Sequence, residues 1–117
     1  MRARRSTRAA GRQAELRALA HYVLHGYRVL GRNVWAGGNE IDLIVRRGGR
    51  VVFCEVKSKA GTRHGDPFDM VGPEKLRRLQ RAAESWLAAH PELDGLETAF
   101  EVVAVRSGRL ERVSIVI

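Results

Sequence analysis

The chain has 117 residues, 44% of them hydrophobic and 29% charged, the balance of one folded soluble domain; two domains would each be short of core. The 21 Lys and Arg against 13 Asp and Glu leave a formal charge of +8, which excludes an acidic disordered chain and points to a polyanionic partner or a solvated basic face. A single cysteine, Cys54, excludes an internal disulfide framework and a cysteine-built zinc site. No apolar run is long enough to cross a membrane, and no apolar stretch follows the basic start, so the expectation is a cytoplasmic protein without a secretory signal.

Residues 1–12 carry five arginines (Arg2, Arg4, Arg5, Arg8 and Arg12) and no acid, and without them the net charge falls from +8 to +3. They read as a flexible basic arm, either a grip on phosphates or a solvated tail, leaving 13–117 as one domain. From Ala14 the pattern is helical, with Leu16, Leu19, Ala20, Val23 and Leu24 at three- and four-residue spacing and Gly26 just past the end. Tyr27 to Trp35 reads as a first strand, broken by Gly37-Gly38. Asn39 to Arg47 and Arg50 to Lys59 read as a hairpin around Gly48-Gly49. A loop is expected over 60–72. Pro73 then opens a second helix with a buried stripe of Leu76, Leu79, Ala83, Trp86 and Leu87 and a basic flank that includes Lys75 and Arg78. Phe100 to Arg106 and Leu110 to Ile117 read as strands. The whole is an α+β or mixed α/β domain.

Alternation along the hairpin puts Ile41, Leu43 and Val45 on one face of the second strand and Glu40, Asp42 and Ile44 on the other. On the third strand Val51, Phe53, Glu55 and Lys57 share a face. A two-residue loop at Gly48-Gly49 sets Asp42 opposite Glu55 and Glu40 opposite Lys57. Two carboxylates so placed repel unless a cation joins them, and their hard oxygens suit Mg²⁺ or Mn²⁺. The bland alternative is a solvent-facing strand with surface charges.

Asp42, twelve residues, then Glu55-Val56-Lys57 resembles the PD-(D/E)xK nuclease signature, with Ile41 in place of the proline. A fuller set of motifs resembles the YraN-like family, bacterial proteins that are predicted endonucleases. It comprises Gly11-Arg12-Gln13-Ala14-Glu15, Gly26-Tyr27, Arg32-Asn33, Glu40-Ile41-Asp42-Leu43-Ile44, Val52-Phe53-Cys54-Glu55-Val56-Lys57, Val71 with Lys75, and Phe100-Glu101-Val102-Val103. Asn39 and Glu101 depart from that family's usual Gly and Asp, and the C-terminus is short.

The resemblance implies a restriction-endonuclease-like core of αβββαβ order. It implies Asp42 and Glu55 as Mg²⁺ ligands, with the Val56 carbonyl as a further ligand and Glu15 as a helix-borne acid completing the set. Lys57 would position or deprotonate the attacking water, or stabilise the developing phosphorane charge. Glu40 is a second ligand or a salt-bridge partner of Lys57, and Lys75 either contacts the scissile phosphate region or is a surface lysine. The arm arginines, with Arg32, Lys59 and Arg78, are the candidate nucleic-acid contacts.

His21 and His25 stand at helical metal spacing, but Tyr22 replaces the Glu a metalloprotease needs, so they read as surface histidines. Cys54 reads as a small buried hydrophobe, Trp86 as helix core, and Trp35 and Phe68 as core in preference to base-stacking residues. The function expected is a Mg²⁺- or Mn²⁺-dependent endonuclease cutting structured or branched DNA. The alternative is a non-catalytic nucleic-acid-binding module on the same fold. A homodimer is expected by analogy with resolvases that cut two strands symmetrically, and no membrane partner is expected.

Overall fold

The computed structural model describes the backbone of residues 2–59 and 72–115, and the side chains among them except those of residues 2–10 and 59. The elements in order are α1 (Arg2–Leu24), β1 (Arg28–Ala36), β2 (Asn39–Arg47), β3 (Arg50–Lys59), α2 (Pro73–Ala88), a 3₁₀ turn (Pro91–Leu93), β4 (Glu97–Arg106) and β5 (Arg109–Ile115). The loop expected over 60–72, with Phe68 and Val71, lies outside the described residues up to residue 71.

Five strands form one mixed sheet in the order β1-β2-β3-β4-β5. Only β3 and β4 run parallel, with α2 on the connection between them; the other neighbours are antiparallel. The helices cover opposite faces. Leu79, Ala82, Ala83 and Trp86 of α2 pack on Ile41, Ile44, Val51 and Phe53. Ala18 and Tyr22 of α1 pack with Leu43, Val45, Val52 and Cys54 on the other face. This is the expected α+β fold, consistent with a restriction-endonuclease-like core. No helix among the described residues is long and apolar enough to cross a membrane.

Local chemistry accounts for the joints. Gly26, at φ +87°, ends α1: its N–H donates to the Val23 carbonyl and the Tyr27 N–H to that of Tyr22, the paired bonds of a left-handed C-cap. Gly37 and Gly38 both have positive φ, as a two-residue hairpin turn of the primed type requires.

Three expectations are corrected. Helix α1 starts at Arg2, well before the Ala14 start that the apolar spacing suggested; its alanines and arginines are good helix formers. The buried stripe of α1 is Ala14, Ala18 and Tyr22, not the leucine stripe: Leu16, Val23 and Leu24 are exposed. Two alanines let the helix lie close to the sheet, and Tyr22 reaches Glu101 with its hydroxyl. The third correction concerns β2, where Ile41 and Ile44 pack on the α2 side while Leu43 and Val45 pack on the α1 side. The strict alternation that grouped Ile41 with Leu43 therefore breaks between these two residues, alongside Asn33, which holds a positive φ on the neighbouring strand.

Candidate active site

The site lies where the hairpin opens. From Arg47↔Arg50 to Leu43↔Cys54 the β2–β3 register is the expected one. There the ladder stops, one pair short of Asp42 and Glu55. Beyond it β3 stays with β4, paired in parallel out to Lys59↔Arg106. Asp42 takes up one of the backbone groups freed by this splay: its Oδ2 accepts the Val56 N–H at 2.8 Å. The described role of Val56 is thus donation to Asp42. The separation of the strands leaves a groove of about 230 Å³ that Glu40, Asp42, Glu55, Lys75 and Arg78 help to line.

Two charge groupings meet in this groove. Glu15 from α1 and Glu40 and Asp42 from β2 bring carboxylate oxygens within 4.8 Å of one another, the one such cluster of potential metal ligands among the described residues. Glu55 is held by lysines instead, with Lys75 Nζ at 2.7 Å and Lys57 Nζ at 3.3 Å from Oε1. The expected pairing of Glu40 with Lys57 is replaced by this arrangement, and Lys75 is drawn into the site.

The electrostatics follow from the geometry. Burial, then the neighbouring Glu55 carboxylate, pushes Asp42 from 3.8 up to about 7; the Val56 N–H works against the rise, and Glu15 and Glu40 add to it. Burial and the adjacent Lys75 ammonium hold Lys57 below the ordinary lysine value, against the pull of Glu55. Burial is the largest single influence on Lys75 and lowers it, but its bonds to Glu55 and Lys57 and the Glu55 and Asp42 carboxylates together hold it above its ordinary value. The three carboxylates form an all-oxygen donor set that fits a hard divalent cation, and nothing in it suits a soft metal.

A buried network behind the site orients α1. Glu101 on β4 is 2% exposed and accepts the Tyr22 hydroxyl. Arg112 Nε lies 3.2 Å from its Oε1, and the Arg112 guanidinium stacks over the Tyr22 and Tyr27 rings. Tyr22 is two helical turns after Glu15, so its tie to β4 fixes the rotation of α1 that presents Glu15 to β2. Sequence reasoning passed over Tyr22 and noted Glu101 only as a departure from a pattern. A lone acid within an apolar strand was the available signal.

The remaining expected residues fall in three groups. Arg12 and Arg32 are exposed, and Arg78 is exposed and paired with Glu74 at 2.7 Å. The side chains of Arg2, Arg4, Arg5, Arg8 and Lys59 lie outside the described residues. Cys54 is fully buried, as expected, and burial pushes its thiol up to about 12. His21 and His25 stack on each other away from the carboxylate cluster. Trp86 is core, but Trp35 is not: it is 72% exposed, which overturns its expected placement.

A model of the uncharacterised protein family UPF0102 matches residues 14–105, a span containing every element of this site. A UPF0102 protein of Maricaulis maris is 43% identical over 108 residues, covering 92% of this chain and 84% of the relative. One from Methylorubrum extorquens is 41% identical over 109 residues, covering 93% and 84%. One from Frankia casuarinae is 40% identical over 101 residues, covering 86% and 85%. On a match of this extent the chain belongs to the UPF0102 family, the YraN-like group that its motifs resemble.

Proposed function

We propose that the protein is a divalent-cation-dependent endonuclease that hydrolyses phosphodiester bonds in structured or branched DNA. The observation that carries this reading is Asp42. A half-buried carboxyl at the meeting point of Glu15 and Glu40 is costly to ionise alone, and a bound cation would remove that cost. Glu15, Glu40 and Asp42 would hold Mg²⁺ or Mn²⁺, which when bound supplies an acidified water and screens phosphate charge. Lys57 is suited to exchange a proton with the attacking water, since burial and Lys75 favour its neutral form. Lys75 and Arg78, on the α2 side of the groove, bring positive charge to meet a phosphate. The formal +8 supplies the long-range attraction to a polyanion.

A second reading has its own observation. Glu55 is engaged by two lysines rather than by the carboxylate cluster, an arrangement that suits a nucleic-acid-binding module without cleavage. One experiment separates the two. The purified protein is incubated with single-stranded, duplex, flapped and four-way-junction DNA in Mg²⁺, Mn²⁺ or EDTA, beside Asp42→Ala and Lys57→Ala. Metal-dependent cutting lost in both variants is expected. Tight binding by all three proteins with no cutting under any condition would overturn the nuclease in favour of the binding module.

A further inference from the structure

Trp35 stands in an unusual place. Tryptophan carries the largest apolar surface of any side chain and is seldom left mostly in water, yet Trp35 is 72% exposed. It is the aromatic member of the described exposed large hydrophobics, the others being Leu16, Val23, Leu24 and Val113. Single exposed apolar residues are ordinary; the position of this one is not. On the β1–β2 ladder Trp35 pairs with Glu40, a member of the carboxylate cluster. Directly opposed residues of an antiparallel pair have Cβ atoms about 4.5–5.5 Å apart and side chains on the same face. The indole therefore stands beside Glu40 at the edge of the carboxylate cluster, on the sheet face opposite the one that Val34 and Ala36 turn to α2.

Its support is rigid. The next ladder pair is Ala36↔Asn39, closed by the Gly37-Gly38 turn, and Asn39 Nδ2 donates to the Gly37 carbonyl at 3.0 Å. Gly37 lies so close to α2 that a Cβ there would come within 2.9 Å of the Arg81 carbonyl oxygen. The turn that follows Trp35 is thus clamped against a helix, and the ring is carried on a regular strand rather than a loose loop.

We propose that Trp35 is a stacking platform for an unpaired nucleobase of the strand whose phosphate enters the Glu40–Asp42 groove. This deepens the nuclease reading and rests on it: the preferred substrate carries unpaired bases at the cleavage point, as single strands and flaps do. In a blunt duplex the base faces are covered by their neighbours, so the indole has no face to meet except at the ends. Base–aromatic stacking is sequence-tolerant, because every base has a π-face.

The test uses the full chain in EDTA, where binding is read without cutting. A twelve-nucleotide single strand, the same sequence as a blunt duplex, and a flapped duplex are titrated while tryptophan emission and oligonucleotide anisotropy are followed. Trp86 is buried and stacked on His90, so it supplies a constant background. The expected result is quenching by the single strand and the flap. Trp35→Ala is expected to bind the single strand about 5- to 100-fold more weakly. Blunt-duplex affinity should change less than twofold, and Trp35→Phe should keep most of the affinity.

Binding with no quenching, or equal loss of single-strand and duplex affinity in Trp35→Ala, would overturn the platform and leave the nuclease reading in place. Absence of any nucleic-acid binding would overturn both. A drop in the native mass of Trp35→Ala by light scattering, with single-strand affinity unchanged, would overturn the platform and assign the ring to an interface between copies of the chain.

Discussion

Asp42 concentrates the chemistry of the molecule in one carboxyl. Its ordinary value is 3.8, and in the fold it is pushed up to about 7 by burial and by Glu55. Between those values the folded chain keeps a proton that the unfolded chain has lost, so folding is favoured by low pH and stability falls as pH rises from about 4 to 7. The cost of ionising the group is at most ~4 kcal/mol. In EDTA, the thermal midpoint should therefore decline between pH 5 and pH 8, and Mg²⁺ should restore it at pH 8. Asp42→Asn should flatten the profile and abolish the response to Mg²⁺. Identical profiles for the two proteins would show that Asp42 is not the group responsible. The DxnExK spacing was legible in the sequence. That Glu55 would turn to Lys57 and Lys75 while Glu15 and Glu40 gather at Asp42 was not, because it depends on a strand separation that no local pattern encodes.

At the scale of elements, α1 is held by its interior contacts rather than by its most apolar face. Removing the Tyr22 hydroxyl leaves Glu101 buried with Arg112 as its one described polar partner. Tyr22→Phe is expected to cost about 1–3 kcal/mol in chemical denaturation and to lower metal affinity, because Glu15 rides on the same helix. Unchanged metal affinity in a destabilised variant would show that the network serves stability alone. The Gly37-Gly38 turn makes a second case. An alanine at Gly37 meets both a positive φ and the Arg81 carbonyl oxygen, so Gly37→Ala should destabilise by more than ~1 kcal/mol. Gly38→Ala, with nothing within 4 Å, carries only the backbone strain and should cost less. Diglycines, Pro73 and the β-rich runs made these joints readable in advance, since turn and cap chemistry is local. The buried face of α1 was misread because leucines outweigh alanines in any hydrophobic pattern, whereas close packing on a sheet favours the small residue.

Taken whole, the molecule presents an acidic groove on a strongly basic chain. Under the proposed function, such a body would be drawn to a polyanion by its net charge and would position one phosphate through its lysines and a cation held by its carboxylates. Residues 1–10 carry four arginines, and residues 2–10 belong to α1. If all four meet phosphates, deleting residues 1–10 should reduce the salt slope of DNA binding by about 2–4. Binding measured between 50 mM and 200 mM salt checks this, and an unchanged slope would remove the segment from the interface.

The sequence by itself determined the order of elements and the hairpin register from Arg47↔Arg50 to Leu43↔Cys54, and it named acids and lysines that the fold brings together. These rest on short-range physics: side-chain periodicity, glycine and proline geometry, and the two-residue turn. The tertiary structure alone decided where β3 leaves β2 for β4, which carboxylates converge, which face of α1 is buried and that Trp35 stands in water. Each of these depends on residues far apart in the chain competing for the same space. The groove exists because a parallel neighbour holds β3 more fully than its hairpin partner does, and that competition is settled only when the whole sheet is assembled.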